Sequence, residues 1–155
     1  MPNLVYNRGK LVAAKFKLAD SSESIQIMLC STAYTANQDH NLVDDGTTND
    51  PKSYEIAPSG YARGTLAGKV LFEDDTNEFV GLDATDQTFA TLGAGATVGN
   101  AVAFRYSSSG GTTSDTGQEL ICAFTVSSTP TNGGDLVIQW ASTSAGGFLR
   151  WGTTS

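Results

Sequence analysis

Four runs of this chain alternate apolar and polar residues with a period of two: 24-SIQIMLC-30, 100-NAVAFRYS-107, 119-ELICAFTV-126 and 135-DLVIQWAS-142. That period belongs to a β-strand, whose successive side chains point to opposite faces. In the first run Ile25, Ile27 and Leu29 face one way, and Gln26, Met28 and Cys30 the other. Apolar residues fall on both faces, so the strand is expected to be at least partly covered on each side. In the second run Val102, Phe104 and Tyr106 oppose Ala101, Ala103 and Arg105. In the third, Leu120, Cys122, Phe124 and Val126 share one side; in the fourth, Leu136, Ile138 and Trp140 do.

The stretches between these runs read as turns and shorter strands. Gly68–Asp74 and Glu78–Thr85 form two strands joined across Asp75, Thr76 and Asn77, and Thr88–Leu92 continues the pattern. Tyr54–Ile56 reads as a short strand, and 146-GGFLRWG-152 as the last one. The segment 58-PSGYARGTLAGK-69, with its glycines and proline, reads as a turn or a bulged edge strand. Two polar stretches, 35–53 and 107–118, are long excursions from the sheet, of the kind that carries binding in β-proteins. Near the N-terminus, Leu4, Leu11, Val12, Phe16 and Leu18 suit a short helix over about 5–15, but Gly9 weakens it and Ala14–Ala19 alternates like a strand. About seven to nine short strands with turn signals predict a mainly β chain: an antiparallel β-sandwich or Greek-key barrel, with at most one short N-terminal helix. The 155 residues fit a single domain, with 1–20 as an arm or helix.

Composition narrows the partners. The formal charge is −7 and only 16% of residues are charged, with no run of Lys and Arg. An acidic surface repels phosphate backbones, so nucleic acid is not expected as a partner. No apolar run reaches the roughly 18 residues of a membrane helix, so no membrane is expected either. The N-terminal twenty residues have no signal-peptide apolar core, which predicts folding in the cytoplasm where the chain is made. Cys30 and Cys122 each lie in an apolar run and read as free, buried thiols; no Cys or Cys/His spacing points to zinc.

One stretch raises the question of chemistry. In 72-FEDDTNEFVGLDATDQTF-89, Glu73, Asp74, Asp75, Glu78 and Asp83 crowd together before Asp86. Asp, Thr and Asn are turn formers, because short polar side chains bond their own backbone, so the cluster reads first as a hairpin tip. Calcium is the sharper reading, with Asp74, Asp75, Asn77 and Glu78, or 44-DDGTTND-50, as oxygen donors; neither stretch has the spacing of a twelve-residue calcium loop. A glycosidase pair would need carboxylates facing across a cleft, and 16 acidic residues make chance pairs common. His40, in a polar loop, reads as an exposed histidine, and there is no G-x-S-x-G elbow. Trp140 and Trp151, with Phe148 between them, read as core or subunit-interface packing ahead of a sugar platform. No catalytic, cofactor-binding or metal residue is assigned, and no cofactor is expected.

The segments 60-GYARGTLAGK-69, 73-EDDTNEFVGLDATDQTF-89 and 132-NGGDLVIQWASTSAGGFLR-150 resemble stretches of a family of small structural proteins in tailed bacteriophages, and 24-SIQIMLCSTAYTANQDH-40 is similar to the same family. The resemblance covers most of the chain from about residue 24. It implies a non-enzymatic virion component, made in the host bacterial cytoplasm. Most simply, this is a capsid decoration, or cement, protein bound to the major capsid protein on the shell exterior at three-fold or quasi-three-fold positions, often as a homotrimer. The N-terminal segment departs from the family's usual helix through Gly9 and the strand-like 15-KFKLAD-20, and reads alternatively as an arm reaching a neighbouring subunit. The expected contact elements are that segment and the 35–53 and 107–118 loops. Two competitors stand beside this reading, and a third, an enzyme, would need a cleft holding acid pairs with displaced pKa values, to which nothing in the sequence points. One is a tail, neck or fibre-associated protein of the same virion. The other is a carbohydrate-binding β-sandwich, which predicts Trp140 or Trp151 exposed on the surface.

Overall fold

The two longest strands lie side by side at the centre of the molecule. The computed structural model describes residues 4–6, 24–77, 79–106, 114–142 and 147–152. Its strands are β1 (Leu4–Val5), β2 (Ser24–Ser31), β3 (Gly64–Thr65), β4 (Val70–Asp74), β5 (Phe79–Asp83), β6 (Gln87–Phe89), β7 (Thr97–Tyr106), β8 (Glu119–Pro130), β9 (Leu136–Ile138) and β10 (Leu149–Gly152). They form a five-stranded sheet in the order β1-β8-β7-β2-β3, a three-stranded sheet β10-β5-β4 and a pair β6-β9. Every ladder between these strands is antiparallel. The chain is mainly β, as its periodicity predicts, and among the described residues the five-stranded sheet runs from β1 to β3 without closing on itself.

Both faces of this central sheet are buried, and the alternation in β2 divides them as expected. Ile25, Ile27 and Leu29 join Val98, Ala101, Ala103, Ile121, Cys122 and Phe124 in one core, closed from the other side by Leu82, Phe89, Ile138, Phe148 and Leu149 of the smaller sheets and their flanks. Met28 and Cys30 join Val102, Phe104, Leu120 and Ala123 in a second core, closed by Tyr6, Tyr34 and Val43. Each fully buried aliphatic or aromatic side chain contributes about 1.5–3 kcal/mol relative to exposure, so neither face is ornamental. Cys30 and Cys122 are buried free thiols on opposite faces of the sheet.

The third alternating run departs from its expected facing at one residue. Phe104 pairs with Leu120 but the adjacent Ala103 pairs with Cys122, leaving Ile121 as an extra residue in β8. This β-bulge reverses the parity of the strand. Leu120 therefore faces the second core, opposite to Cys122, Phe124 and Val126, which it was expected to accompany.

Three other expectations change. Tyr54–Ile56 is not a strand: Pro51–Tyr54 forms a 3-10 turn whose N-cap, Asp50, accepts from the Ser53 amide at 2.8 Å, and only an isolated bridge, Cys30 to Glu55, follows. The fourth run is a strand only over Leu136–Ile138; Trp140 still faces the first core, but its amide donates to Asp86 Oδ1 at 2.9 Å instead of joining a ladder. At the N-terminus Leu4–Val5 pairs with Ala123 and Cys122 of β8 and the Tyr6 amide donates to the Ile121 carbonyl, so residues 5 and 6 are not helical; positions 7–15 of the expected helix and the 14–19 alternation lie outside the described residues.

β2 would present a bare edge beyond its short contact with β3. It is blunted instead by the Tyr61 hydroxyl, which accepts from the Leu29 amide at 3.0 Å, and by the Ile56 amide, which donates to the Leu29 carbonyl at 3.0 Å. At β5, Gly81 leaves room for the Phe72 ring across the ladder; a Cβ there would run into that ring.

Candidate functional site

The acidic stretch runs through the hairpin β4–β5, and three of its carboxylates, those of Asp74, Asp83 and Asp86, accept from backbone amides. Asp74 accepts from the Thr76 amide at 3.0 Å and from the Asn77 amide and side chain at 2.9 and 2.8 Å. The Asn77 side chain, with these amides, holds the Asp74 carboxyl below its ordinary range. Asp83 accepts from the Ala84 amide at 2.9 Å, and Asp86 holds Trp140. The Asp74 oxygens face their own turn. Among the described residues, no three of His, Cys, Asp and Glu converge as a metal would require; Glu78 lies outside them.

The two polar loops are a different matter: 35–53 is described in full, and of 107–118 only 114–118 lies among the described residues. They are distant in sequence, yet they are laced together. The Val43 amide donates to the Gln118 carbonyl at 2.9 Å, the Asp44 amide to Asp115 at 3.3 Å, and the Leu120 amide to Asn41 at 3.0 Å. Between these bonds Leu42 and Glu119 form an isolated antiparallel bridge. The exposed turn beyond is organised by its own side chains: Asp44 accepts from the Gly46 amide at 2.9 Å and Asp45 from the Thr47 amide at 3.0 Å.

An ionic cluster pins this platform to the sheet. Arg63 Nε and Nη2 donate to the two Glu55 oxygens at 2.7 Å each, and Nη1 and Nη2 to the two oxygens of Asp115. Lys52 reaches Glu55 at 2.8 Å and Asp115 at 3.3 Å. The Arg63 guanidinium lies over the Phe104 ring, 5.2 Å from its centre, so one side of the plane rests on the second core. Tyr61 completes the cluster by donating to Glu55 at 3.0 Å while stacking on Phe89. Burial pushes the Glu55 and Asp115 carboxyls up, but the Arg63 and Lys52 bonds outweigh it and hold both below their ordinary values. Burial likewise works against the Arg63 charge, and its two carboxylate partners reverse that. Fork-to-fork pairing of this kind fixes orientation as well as energy. Nothing in the local spacing announced it: Arg63 and Asp115 are 52 residues apart. The available signal was rarity, since a chain with only 9 cationic residues places two of them, Lys52 and Arg63, in adjacent polar segments.

His40 is partly buried, correcting the exposed reading. Its Nδ1 lies 3.3 Å from the Tyr34 hydroxyl, which in turn meets the Tyr6 hydroxyl at 2.6 Å. Desolvation raises the Tyr6 and Tyr34 pKa values, so both hydroxyls are neutral hydrogen-bonding groups tying residues 6, 34 and 40 together.

Trp140 packs as an aromatic of the core. Its ring meets Phe148 edge-on at 4.9 Å and Phe124 at 5.1 Å, and its indole N–H donates to the Thr85 carbonyl at 2.9 Å. The ring is half-buried rather than displayed as a flat platform, while the Trp151 side chain lies outside the described residues. An open groove of about 450 Å³ lies over Thr32, Thr35, Asn100 and Thr125, with Leu4 and Val126 at its sides. It contains no carboxylate pair. No helix of the described residues is long and apolar enough to cross a membrane. No family model, curated protein or solved structure matches the chain.

Proposed function

We propose that this chain is a structural protein of a tailed-phage virion, and specifically a head decoration (cement) protein that binds the major capsid protein on the outer shell. The observation that carries the reading is the clasp between the 35–53 and 107–118 loops. The 41–44 segment and the described end of the second loop, 115–118, are fixed to each other and to the central sheet through Arg63, leaving the tip Asp45–Asn49 exposed on that base. A loop held in place before contact loses little entropy on binding, which is what a small protein with many identical lattice contacts requires. The tip offers hydroxyl, amide and carboxylate groups, and suits a polar or basic surface on the shell. The phage-family resemblance supports the same reading, and the acidic surface keeps the protein off the packaged genome.

The mechanism is mass action. A ligand that binds only the expanded lattice stabilises it by its binding free energy at each occupied site. The protein then belongs on the capsid exterior, as a homo-oligomer, with a trimer matching three-fold positions.

The test is to add purified protein to expanded heads that lack it and image them by electron cryomicroscopy. Density on the outer shell at three-fold or quasi-three-fold positions is expected, with the 35–53 loop at the lattice. An Asp45→Lys variant is expected to bind more weakly while folding normally. Bare heads, with the protein on tails or necks instead, would overturn the decoration reading and leave a tail or neck role.

A further inference from the structure

The three-stranded sheet ends in β4, whose only ladder partner among the described residues is β5. β4 is neither short of apolar residues nor shielded by them. Val70 is 59% exposed and Leu71 48%, on opposite faces of the strand, and Val80 beside it in β5 is 46% exposed. Edge strands with apolar side chains and unpaired backbone groups are templates for another strand, and folded proteins normally blunt them. β2, in this same molecule, is blunted by Tyr61 and Ile56; β4 has no comparable cover among the described residues.

The sequence of this edge identifies its occupant. Residues 69–73 read Lys-Val-Leu-Phe-Glu: a cation, three apolar residues and an anion. Antiparallel pairing with an identical strand about a two-fold axis through Leu71 sets Lys69 opposite the partner's Glu73, Val70 opposite the partner's Phe72, and Leu71 opposite the partner's Leu71. Each apolar residue meets an apolar residue and each charge meets its opposite. A two-fold axis normal to the sheet keeps side chains on their own face, so the register can slip only by two residues. The next register, centred on Phe72, sets Leu71 against the partner's Glu73 and Val70 against the partner's Asp74, and loses both matches. We propose that β4 is a homotypic docking edge: two copies of this chain join their three-stranded sheets into one six-stranded sheet across β4, in the Leu71-centred register. The contact is isologous, distinct from a three-fold closure, and it does not depend on the virion position of the protein.

The test is sedimentation velocity of the full chain across a concentration series. Wild type is expected to double its assembly mass as concentration rises, and Leu71→Lys to abolish that step with an unchanged circular dichroism spectrum. Lys69→Glu and Glu73→Lys are each expected to weaken the association by about two- to thirty-fold, because the two-fold axis repeats the Lys69–Glu73 pair. The double variant Lys69→Glu/Glu73→Lys restores opposite charges and is expected to recover it. Leu71→Cys is expected to give a disulfide-linked dimer under mild oxidation, since Cys30 and Cys122 are buried. An assembly mass that Leu71→Lys leaves unchanged, or a double variant no better than its parents, would overturn the proposal. Failure here leaves head binding intact, and failure of head binding leaves this contact intact.

Discussion

The two faces of the central sheet are covered by different means. One face packs on the smaller sheets, and its core is aliphatic and aromatic from both sides: Ile25, Ile27 and Leu29 meet Leu82, Ile138, Phe148 and Leu149. The other face is covered by the 34–54 loop, which brings Tyr34, Val43 and Tyr54, together with Tyr6 just beyond edge strand β1. A sheet can cover a sheet without polar help, because its backbone is satisfied within its own ladders. A loop cannot; its backbone must find partners one group at a time. The loop-covered face accordingly carries the Tyr6–Tyr34–His40 chain, the Asn100 side-chain bond to the Tyr34 carbonyl at 3.0 Å, the Asp50 cap and the Arg63 cluster. A face closed by a loop is thus specified by polar geometry, and a face closed by a sheet by volume.

This contrast is broken most severely from the sheet-covered side. Phe148→Ala removes a fully buried ring that touches both Phe124 and Trp140. The expected loss is about 3–5 kcal/mol, read as a drop in the denaturation midpoint that moves every probe together. The next largest effect comes from the opposite face. Arg63→Met leaves Glu55 and Asp115 largely buried with only Lys52 as a cation, and the expected cost is about 3 kcal/mol. Its pH signature separates it from a packing loss. Both carboxyls are held below their ordinary values of 4.5 and 3.8, so their contribution is fully present above those values and is lost as pH falls through the lowered folded ones. Wild type should therefore lose stability on acidification below about pH 4.5, and the Arg63 variant should lose less over the same interval. Equal acid slopes in the two proteins would refute this account of the cluster.

The same contrast explains what could be read from the sequence. The sheet-covered face was legible because strand periodicity reports facing directly, as Ile25, Ile27 and Leu29 show. So was the β4–β5 hairpin, since Asp74 and Asn77 form turns through purely local bonds. Leu120 was misplaced because the bulge at Ile121 is set by pairing with β7 and leaves no mark in the local alternation. The loop-covered face was largely illegible. Its partners are 28 residues apart for Tyr6 and Tyr34 and 52 for Arg63 and Asp115, and nothing in a polar loop reveals which distant group it meets. The 35–53 excursion from the sheet was legible as a polar stretch, but its joining to the other polar stretch, along 41–44 and 115–120, belongs to the tertiary structure alone.

A smaller effect sharpens the polar side. Tyr6→Phe keeps the buried ring and removes only the hydroxyl, leaving Tyr34 with the longer contact to His40. The expected cost is about 1 kcal/mol. The loss should be local in kind: amide exchange is expected to quicken at Tyr34 and Val43, on the cover of the second core, before it changes at Ile27 or Leu29. Uniform acceleration at all four would mean that the two faces unfold as one unit and that the loop is not a separable cover.

The smallest effect belongs to Lys52, and it tests whether the cluster works through charge or through geometry. Lys52 touches the same two carboxylates as Arg63, but its side chain is 46% exposed while that of Arg63 is 19% exposed. Water screens a pair at that exposure, and a lysine ammonium lacks the planar fork that engages two carboxylates at once. Lys52→Ala should therefore cost less than about 1 kcal/mol, and that cost should shrink further in high salt, whereas the Arg63 variant should keep most of its deficit. If Lys52→Ala were as damaging as Arg63→Met, counting charges would suffice and the forked geometry around Arg63 would be incidental. If it is mild and salt-sensitive, the platform is held by the one guanidinium that reaches Glu55 and Asp115 together while resting on Phe104.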